Sequence, residues 1–366
     1  MIRLIRAAGL VFTLIAGQCA QAQTPPAASP EWNAGPFQIT GLIDAYYSFN
    51  FNHPESGANQ LRNFDVKANQ FSLNMAKLTL EHAPAPVGLR VDFGFGRAFD
   101  MIHASESGPS VFQNIEQAFI SYRPEKGKGF QVDLGKFVTS AGAEVIETYA
   151  NWNYSRSLLF AWAIPYYHFG VRATLPSIGP VTPGVQFVNG WNNVEDNNSG
   201  KTVGLTAAVA AGKVTWFHNY YTGVEAPERG AGRRHLYDTT VLAALNPRTS
   251  AYLNFDYGVD NGTPGQRARW TGVAAAARFA VSQHVAIAPR AEWFNDADGF
   301  STGTAQKLKE VTLTGEYKLR PGLLARLEYR RDWSNQPFFD RGAAPATYRS
   351  QNTLLAGFVA YLGPEQ

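Results

Sequence analysis

The sequence predicts an all-β fold: a transmembrane, antiparallel, up-and-down β-barrel of about sixteen strands. Three observations support this prediction. Apolar and polar residues alternate with a period of two through most of the chain, as they do on strands that face lipid on one side and water on the other. The connections between the alternating segments are short and long in turn. The first residues resemble an export signal.

The composition fits such a barrel. Of the 366 residues, 17% are charged and 13% are aromatic, and glycine occurs 34 times. Many aromatic residues and glycines with few charges are typical of β-proteins that have apolar surfaces and tight turns. The mean hydropathy of −0.22 argues against a bundle of membrane helices. It suits a barrel, because half of each strand then faces a wet lumen.

The N-terminus predicts a cleaved secretory signal peptide over residues 1–22. Arg3 and Arg6 precede a short apolar run, which cannot cross a bilayer of about 30 Å as a helix. Ala20-Gln21-Ala22 has the small-residue pattern of a cleavage site, so we expect cleavage after Ala22. The alternative is an uncleaved anchor, which the short apolar run disfavours.

A leader and a single domain are expected after the signal peptide. The leader, Gln23–Gly35, is rich in proline and alanine and is predicted to be disordered. Residues 36–366 are predicted to form one outer-membrane barrel domain. Loss of the signal peptide would remove Cys19, the single cysteine, so no disulfide is expected. It would also leave 30 basic against 29 acidic residues, a balance that does not indicate nucleic-acid binding.

The first alternating segment illustrates the strand pattern. Mostly apolar residues occupy the odd positions from 37 to 51, while Gln38, Asp44 and Asn50 share the other face. Strict alternation over this length predicts a strand rather than a helix. The predicted strands are 37–51, 69–81, 88–99, 111–123, 130–138, 165–175, 181–191, 201–211, 213–222, 235–246, 248–259, 268–281, 283–295, 306–320, 322–333 and 349–362. Pro289 predicts a bulge or a shifted boundary, because proline has no amide hydrogen for the ladder.

The loop lengths predict the topology. Short connections lie near residues 85, 125, 178, 212, 246, 282 and 321, and longer polar connections alternate with them. Short periplasmic turns and long outer loops are typical of outer-membrane barrels. An even number of strands would return both chain ends to the periplasm.

Charges on the late strands predict a wet interior. Arg326, Glu328 and Arg330 share one face of their strand, and Arg290 and Glu292 share one face of another. A charge aimed at the bilayer midplane costs about 2–4 kcal/mol, so this face must meet water. A soluble β-sandwich would also expose these charges. The signal peptide, the loop lengths and the Tyr and Trp residues near strand ends favour the membrane barrel.

The longest connection, residues 139–164 after the fifth strand, is predicted to fold into the lumen. The predicted constriction combines loop and wall residues: Glu144, Glu147 and Arg156 on the loop, with Arg290, Glu292, Arg326, Glu328 and Arg330 on the wall. Acids on the loop opposite a basic wall would set up a transverse field that acts on solutes at close range. The alternative is a loop that caps the outside with solvated charges. The aromatic residues of the loop favour packing against a wall, and they would also suit a contact between protomers.

The region around this loop contains four short motifs: DLGKF at 133–137, GAE at 142–144, YSRS at 154–157 and PYYHFGVR at 165–172. These motifs resemble the β-barrel porin-2 family, also called OmpL-like. The resemblance implies a Gram-negative outer-membrane barrel that acts as a channel, and it implies no particular substrate. The chain departs from many outer-membrane barrels at its C-terminus, because Leu-Gly-Pro-Glu-Gln follows Tyr361 where a terminal aromatic residue would signal assembly.

The sequence thus predicts an outer-membrane porin, a passive diffusion channel for small hydrophilic solutes or ions. Outer-membrane lipid is the expected surrounding, a homotrimer is expected by analogy, and no catalytic residue, cofactor or metal is expected. One alternative is a plugged barrel with a structural or adhesive role, although the outer loops are short for an adhesin. A secreted soluble β-protein is another. The remaining alternative is a barrel enzyme, for which His218-Asn219 is the one indication, since no phosphate-binding loop or HExxH motif occurs.

Overall fold

The computed structural model describes residues 33–106, 108–227, 232–262 and 266–363. Sixteen strands form a closed antiparallel barrel in which each strand pairs with its neighbours in sequence. The last strand pairs with the first and closes the barrel, from Thr353 opposite Asn50 to Leu362 opposite Gly41. The predicted fold class and strand number are therefore confirmed.

The strands are numbered β1 to β16 in chain order. They span Phe37–Asn50, Gln70–His82, Val87–Phe95, Ile115–Tyr122, Gln131–Val138, Tyr167–Thr174, Val181–Val188, Thr202–Ala211, Val214–Val224, Arg233–Asn246, Thr249–Asp260, Ala268–Ala280, Val285–Asp296, Gln306–Arg320, Leu323–Ser334 and Ser350–Leu362. The connections contain helices α1 (Arg97–Ile102) and α2 (Leu158–Trp162), 3-10 turns at Ser110–Asn114 and Thr148–Ala150, and a hairpin of Phe339–Arg341 with Ala344–Tyr348. Among the residues described, no helix is long and apolar enough to cross a membrane.

The connections differ in length at the two ends of the barrel. At one end, here called the short-turn end, successive strands are joined by turns such as 212–213, 247–248 and 321–322. At the other, the long-loop end, the connections include 51–69, 96–114 and 139–166. Short hairpin turns hold adjacent antiparallel strands in register, so the variable parts of the chain collect at the long-loop end.

The two faces of each strand meet different surroundings. On β14, Val311, Leu313 and Tyr317 point outward and are exposed, whereas Glu310 and Thr314 point inward and are buried. Residues 354–362 of β16 are apolar on both faces, so the sequence pattern does not predict which face points into the barrel. In the structure, Leu355 and Val359 of β16 point inward and are buried, while Leu354 and Phe358 point outward and are exposed.

The predicted third strand is too long. Strand β3 ends at Phe95, and the chain turns at Gly96 into helix α1. Gly96 has a φ of 121°, and a Cβ atom there would lie 2.5 Å from the carbonyl oxygen of Asn74. Only glycine accommodates this turn, so the apolar alternation that continues to residue 99 misplaced the boundary.

The expected bulge or boundary shift at Pro289 is also wrong. Pro289 lies inside β13, points outward and pairs with Leu313 of β14. On its other side the ladder to β12 is interrupted between the pairs Ala276–Arg290 and Phe279–Ile287, without a change of register. The missing proline amide therefore costs local pairing and does not displace the strand.

Part of the predicted N-terminal organisation lies outside the described residues, namely the signal peptide of 1–22, its cleavage after Ala22 and most of the leader. The end of the leader is described. Asn33–Ala34 pairs with Phe37 and Gln38 in a short antiparallel bridge. This short pair lies at the end of the predicted leader, and disorder of the leader stays a prediction.

The outward position of Leu313 gives the first testable prediction. Leu313 lies near the middle of β14, so Leu313→Lys should destabilise the folded barrel in lipid vesicles by about 2–4 kcal/mol. Leu319→Lys, on the same face but near the short-turn end, should cost about 0–1 kcal/mol. Urea titration of vesicle-inserted protein measures both. Equal costs for the two variants would contradict this placement in the bilayer.

Candidate functional site

Residues 139–166, here called the inner loop, connect β5 to β6 and fold across the inside of the barrel. The loop is organised first by its own hydrogen bonds. The Asn151 side chain accepts from the Val145 amide at 3.0 Å and donates to the Val145 and Glu147 carbonyl oxygens at 2.8 Å each. Ser157 caps helix α2 by accepting from the Phe160 amide at 3.0 Å, as serine does at helix N-termini.

Arg156 holds the turns of the inner loop together. Its guanidinium donates to the carbonyl oxygen of Val145 at 2.9 Å, to that of Tyr154 at 2.5 Å and to that of Ile146. The side chain is buried and stacks over the Phe64 ring, 4.8 Å from its centroid. The positive charge of Arg156 is thus used by loop backbone rather than presented to the lumen.

Three arginines of the barrel wall, on β13 and β15, donate hydrogen bonds to the inner loop. Arg290 donates to the Glu144 carboxylate and to the Ser155 carbonyl oxygen, both at 2.7 Å. Arg330 donates to the carbonyl oxygen of Arg156 at 2.6 Å. Arg326 donates to three loop carbonyl oxygens, those of Thr148, Asn151 and Asn153. These positions alternate along their strands, so all three point inward.

Two wall carboxylates bind loop amides. Glu328 accepts from the backbone amides of Tyr154 at 2.6 Å and Ser155 at 3.0 Å, and Glu292 accepts from that of Leu159 at 3.3 Å. All five wall residues selected from the sequence therefore bond to the inner loop. Hydrogen bonds of this kind, with one charged partner, contribute about 1.5–3 kcal/mol each.

Glu147 binds a different part of the wall from Glu144. Its carboxylate contacts the Lys77 ammonium on β2, which also lies 2.9 Å from Glu116 and 3.4 Å from Asp92. Burial, the largest single influence, raises the pKa of Glu147, but the charge of Lys77 and its hydrogen bond to the carboxylate together lower that pKa below its usual value. Glu147 is therefore ionised at neutral pH.

The carboxylates around Lys77 are close enough to bind a metal ion. One oxygen atom each from Asp92, Glu116 and Glu147 lies within 4.8 Å of the others. The Lys77 ammonium contacts all three acids and supplies the positive charge that a metal would bring. We therefore interpret this cluster as a second attachment of the inner loop to the wall.

Aromatic side chains of the inner loop pack on the wall. Tyr149 stacks on Tyr361 of β16 with centroids 4.2 Å apart, and Trp152 lies 5.1 Å from Tyr252 of β11. The Tyr154 ring occupies the space beside Gly357, where a Cβ atom would lie 2.3 Å from ring carbon Cε2. These aromatic contacts involve β11 and β16, which lie on either side of the arginine-bearing strands β13 and β15.

A second loop also enters the lumen, which the sequence did not indicate. Residues 51–69 place Arg62 2.9 Å from the Asp332 carboxylate of β15, with both side chains buried. The Phe64 ring packs edge to face on Phe160 of the inner loop, 5.9 Å between centroids. The short LRNFD sequence at 61–65 carries these contacts, and nothing in its composition separates it from an exposed turn.

The predicted constriction residues are largely enclosed in these contacts. Glu144 and the wall arginines touch one another or the loop backbone and are buried. The structure bonds one loop acid, Glu144, directly to a wall arginine, Arg290. The sequence analysis expected loop acids opposite a basic wall to set up a transverse field instead. The bonds of Glu144 and the wall arginines hold the loop, and their charges are neutralised locally.

Other inward-facing charges remain partly exposed. The side chains of Arg90, Arg172 and Arg278 are 23%, 14% and 14% exposed, respectively. Arg172 is bonded to Asp133 at 2.7 Å, and Arg278 to Glu316 at 2.8 Å. The sequence signal for these residues was their inward register on alternating strands, but the analysis selected charges near the long loop instead.

The closed sixteen-stranded barrel, with charged inner walls and loops folded into its lumen, defines a protein of the outer-membrane porin type. Residues 36–362 match the family described as "Putative beta-barrel porin-2, OmpL-like". Because this match covers most of the chain, the protein belongs to that family.

Solved structures of outer-membrane proteins share the fold. An anion-selective porin from Comamonas acidovorans has a TM-score of 0.59 at 10% identity, over 89% of this chain and 99% of that one. The outer membrane channel DcaP of Acinetobacter baumannii gives 0.58 at 10%, over 91% and 99%. OmpT of Vibrio cholerae gives 0.58 at 11%, over 91% and 100%. No curated protein sequence matches the chain significantly.

The close approach of Tyr154 to Gly357 gives the second prediction. Gly357→Val should push Tyr154 away and loosen the inner loop, because overpacking of this kind costs about 1–3 kcal/mol. Hydrogen exchange followed by mass spectrometry should show faster exchange of the loop amides at 144–157.

The matched control is Gly315→Val, at an outward position where a Cβ atom would come no closer than 3.9 Å to any atom. This control should leave the loop amides protected. Unchanged protection in Gly357→Val would show that the loop does not depend on this contact.

Proposed function

We propose that the protein is a passive diffusion channel of the Gram-negative outer membrane for small hydrophilic solutes or ions. The observation that carries this proposal is the inner loop, which lies inside a polar lumen, is bonded to the wall and narrows the lumen. The proposed pore is formed between this loop and the remaining wall. A loop that narrows a barrel by a fixed amount would set a size limit without any cofactor.

The distribution of buried side chains supports a passage on one side of the lumen. The inward positions of β13 and β15 are buried, mostly under the inner loop. Inward-facing Arg90, Arg172 and Thr206 are only half-buried. We infer that solutes pass along this second side, where Arg90 and Arg172 would meet them.

A plugged barrel is the second candidate function, and one observation favours it. All eight residues selected as constriction candidates bond to another part of the lumen, and the wall members among them are buried. If the two inserted loops fill the lumen, the outer loops would carry the function. Conductance separates the two candidates.

The enzyme alternative depends on His218, which points outward on β9. Its Nδ1 atom lies 3.0 Å from the Tyr237 hydroxyl, and its ring lies 4.4 Å from that of Trp216. A Tyr and Trp setting on the lipid-facing wall is typical of an aromatic girdle. We therefore propose an interfacial role for His218 rather than a catalytic one.

The proposed channel requires export and assembly. We propose that residues 1–22 direct export and are removed after Ala22, and that the barrel then inserts into outer-membrane lipid. A homotrimer is also proposed. One structural neighbour, OmpT of Vibrio cholerae, is described in a trimer form.

Single-channel conductance in a planar bilayer tests the channel directly. The chain from Gln23 onward, refolded and inserted, should give stable unitary steps. Arg290→Ala combined with Arg326→Ala should give larger and noisier steps, because it removes donors to Glu144 and to four loop carbonyl oxygens.

The control for this experiment is Arg233→Ala combined with Arg269→Ala, which removes two cations from the outer face of the barrel. Its steps should equal those of the wild type. A barrel that is folded by heat-shifted gel mobility but conducts nothing would reject the channel and favour the plugged barrel.

The partly exposed arginines predict which residues set ion preference. Arg172→Gln with Arg278→Gln leaves Asp133 and Glu316 without those partners, so the reversal potential in a salt gradient should shift toward cations. A unit charge about 8 Å away changes the energy of a monovalent ion in water by about 0.5 kcal/mol, or roughly twofold in its local concentration.

Asp133→Asn should shift the reversal potential in the opposite direction, toward anions. If neither change alters the reversal potential, the ions do not pass these side chains. The current would then follow another path through the lumen, and the proposed passage would be wrong even if the channel is right.

A further inference from the structure

The outward face of the barrel carries cations near the long-loop end and no acid. Aspartate and glutamate residues within the described barrel strands all occupy inward or bulged positions. Five cations that are not buried occupy outward positions in the half of the barrel toward the long-loop end: Arg233, Arg269, Lys307, Lys309 and Arg331. Charge of one sign on a lipid-facing surface indicates a partner of opposite sign at that level of the membrane.

Four of these cations have no acidic partner within the described chain, and Arg269 is the exception. Arg269 lies 3.4 Å from Asp298, and Arg233 donates to Thr222 at 3.1 Å. No ion pair among the described residues includes Lys307, Lys309 or Arg331. Both lysines are exposed and Arg331 is half-buried.

Lys307, Lys309 and Arg331 lie together on β14 and β15 and form one surface, here called the basic patch. Lys309 pairs in register with Trp293 on β13 and with Trp333 on β15. Arg331 lies two residues from Trp333 on the same face and stacks over its ring, 4.8 Å from the centroid. Lys307 is the next outward residue beyond Lys309. Lys309 and Arg331 are diagonal neighbours on one face of the sheet, which lie about 7–8 Å apart. Lys307 is next to Lys309 on the same face, so an extended ligand with two anionic groups can meet all three charges.

The position of the basic patch along the strand places it at the membrane surface. Below Lys309, the outward residues of β14 from Val311 to Leu319 are apolar, glycine or tyrosine. A transmembrane strand needs about 9–11 residues to cross the hydrocarbon, so this stretch fills nearly all of it. Trp293 and Trp333 flank the patch at the level where aromatic girdles meet lipid headgroups.

We propose that the basic patch binds the phosphate groups of a phosphorylated glycolipid in the outer leaflet. Phosphate is the anion that lysine recognises as a point charge and arginine as a planar fork. The tryptophans offer apolar surface for sugar and for the start of the acyl chains. The inference requires the outer-membrane location and does not require that solutes cross the barrel.

Native mass spectrometry of the folded chain in a zwitterionic detergent tests the proposal. The probes are bisphosphorylated lipid A and the same lipid with both phosphates removed. The wild type should retain the phosphorylated lipid and not the dephosphorylated one. Lys307→Gln, Lys309→Gln and Arg331→Gln together should weaken binding by about 100-fold, since each cation near an anionic surface contributes about fivefold.

The matched control removes three exposed cations from the short-turn end, with Lys213→Gln, Arg248→Gln and Arg320→Gln. It changes the net charge equally and should bind lipid A as the wild type does. Equal loss in the control and patch variants, or equal binding of both lipids, would overturn the proposal. If the triple patch variant does not fold, Lys309→Gln alone should still weaken binding about fivefold.

Discussion

The arrangement of the lumen depends on one requirement, that every polar backbone group of a loop inside a barrel finds a partner. A loop without regular secondary structure carries amides and carbonyls that no ladder satisfies. Here charged wall side chains satisfy them. Arg326 and Arg330 donate to loop carbonyl oxygens, while Glu328 accepts from two consecutive loop amides. The loop conformation and the charges of β13 and β15 therefore depend on each other for their hydrogen-bond partners.

This requirement explains why the wall charges selected from the sequence are buried against the loop and do not face an open lumen. Moving an ion pair out of water costs several kcal/mol unless bonds replace hydration. Arg290 recovers that cost through Glu144, Glu310 and the Ser155 carbonyl oxygen. Because Glu144 and Glu310 contact Arg290 directly, the charge of Arg290 is balanced within a few ångströms. Charges with fewer partners, such as Arg172, keep contact with water, so in the proposed channel they are the ones that act on a passing ion.

The sequence predicted the barrel well because alternation and turn length are local properties. It placed Arg290, Arg326 and Arg330 on the inner face, since a strand has only two faces. It did not predict which loop atoms they bind, because that depends on how far each strand is staggered around the closed barrel. Lys77 was missed for the same reason, because its partner Glu147 lies on the inner loop, 70 residues away in sequence. Helix α1 was missed because a single glycine ends β3 inside an apolar run.

The neighbouring residues Arg330 and Arg331 show how the two faces of one strand solve the same electrostatic problem differently. Arg330 points inward, where Asp332 and a loop carbonyl oxygen balance and bind it. Arg331 points outward beside Trp333, where no acid of the described chain reaches it. An inward charge can be balanced by the protein itself, because strands and loops surround the lumen. An outward charge that no acid of a nearby loop reaches can be balanced only by what surrounds the barrel, and we propose that at the level of the headgroups this is the lipid. The positive charge of the outer surface therefore indicates the charge of the surrounding lipid, just as the ion pairs of the inner surface indicate where the loop is attached.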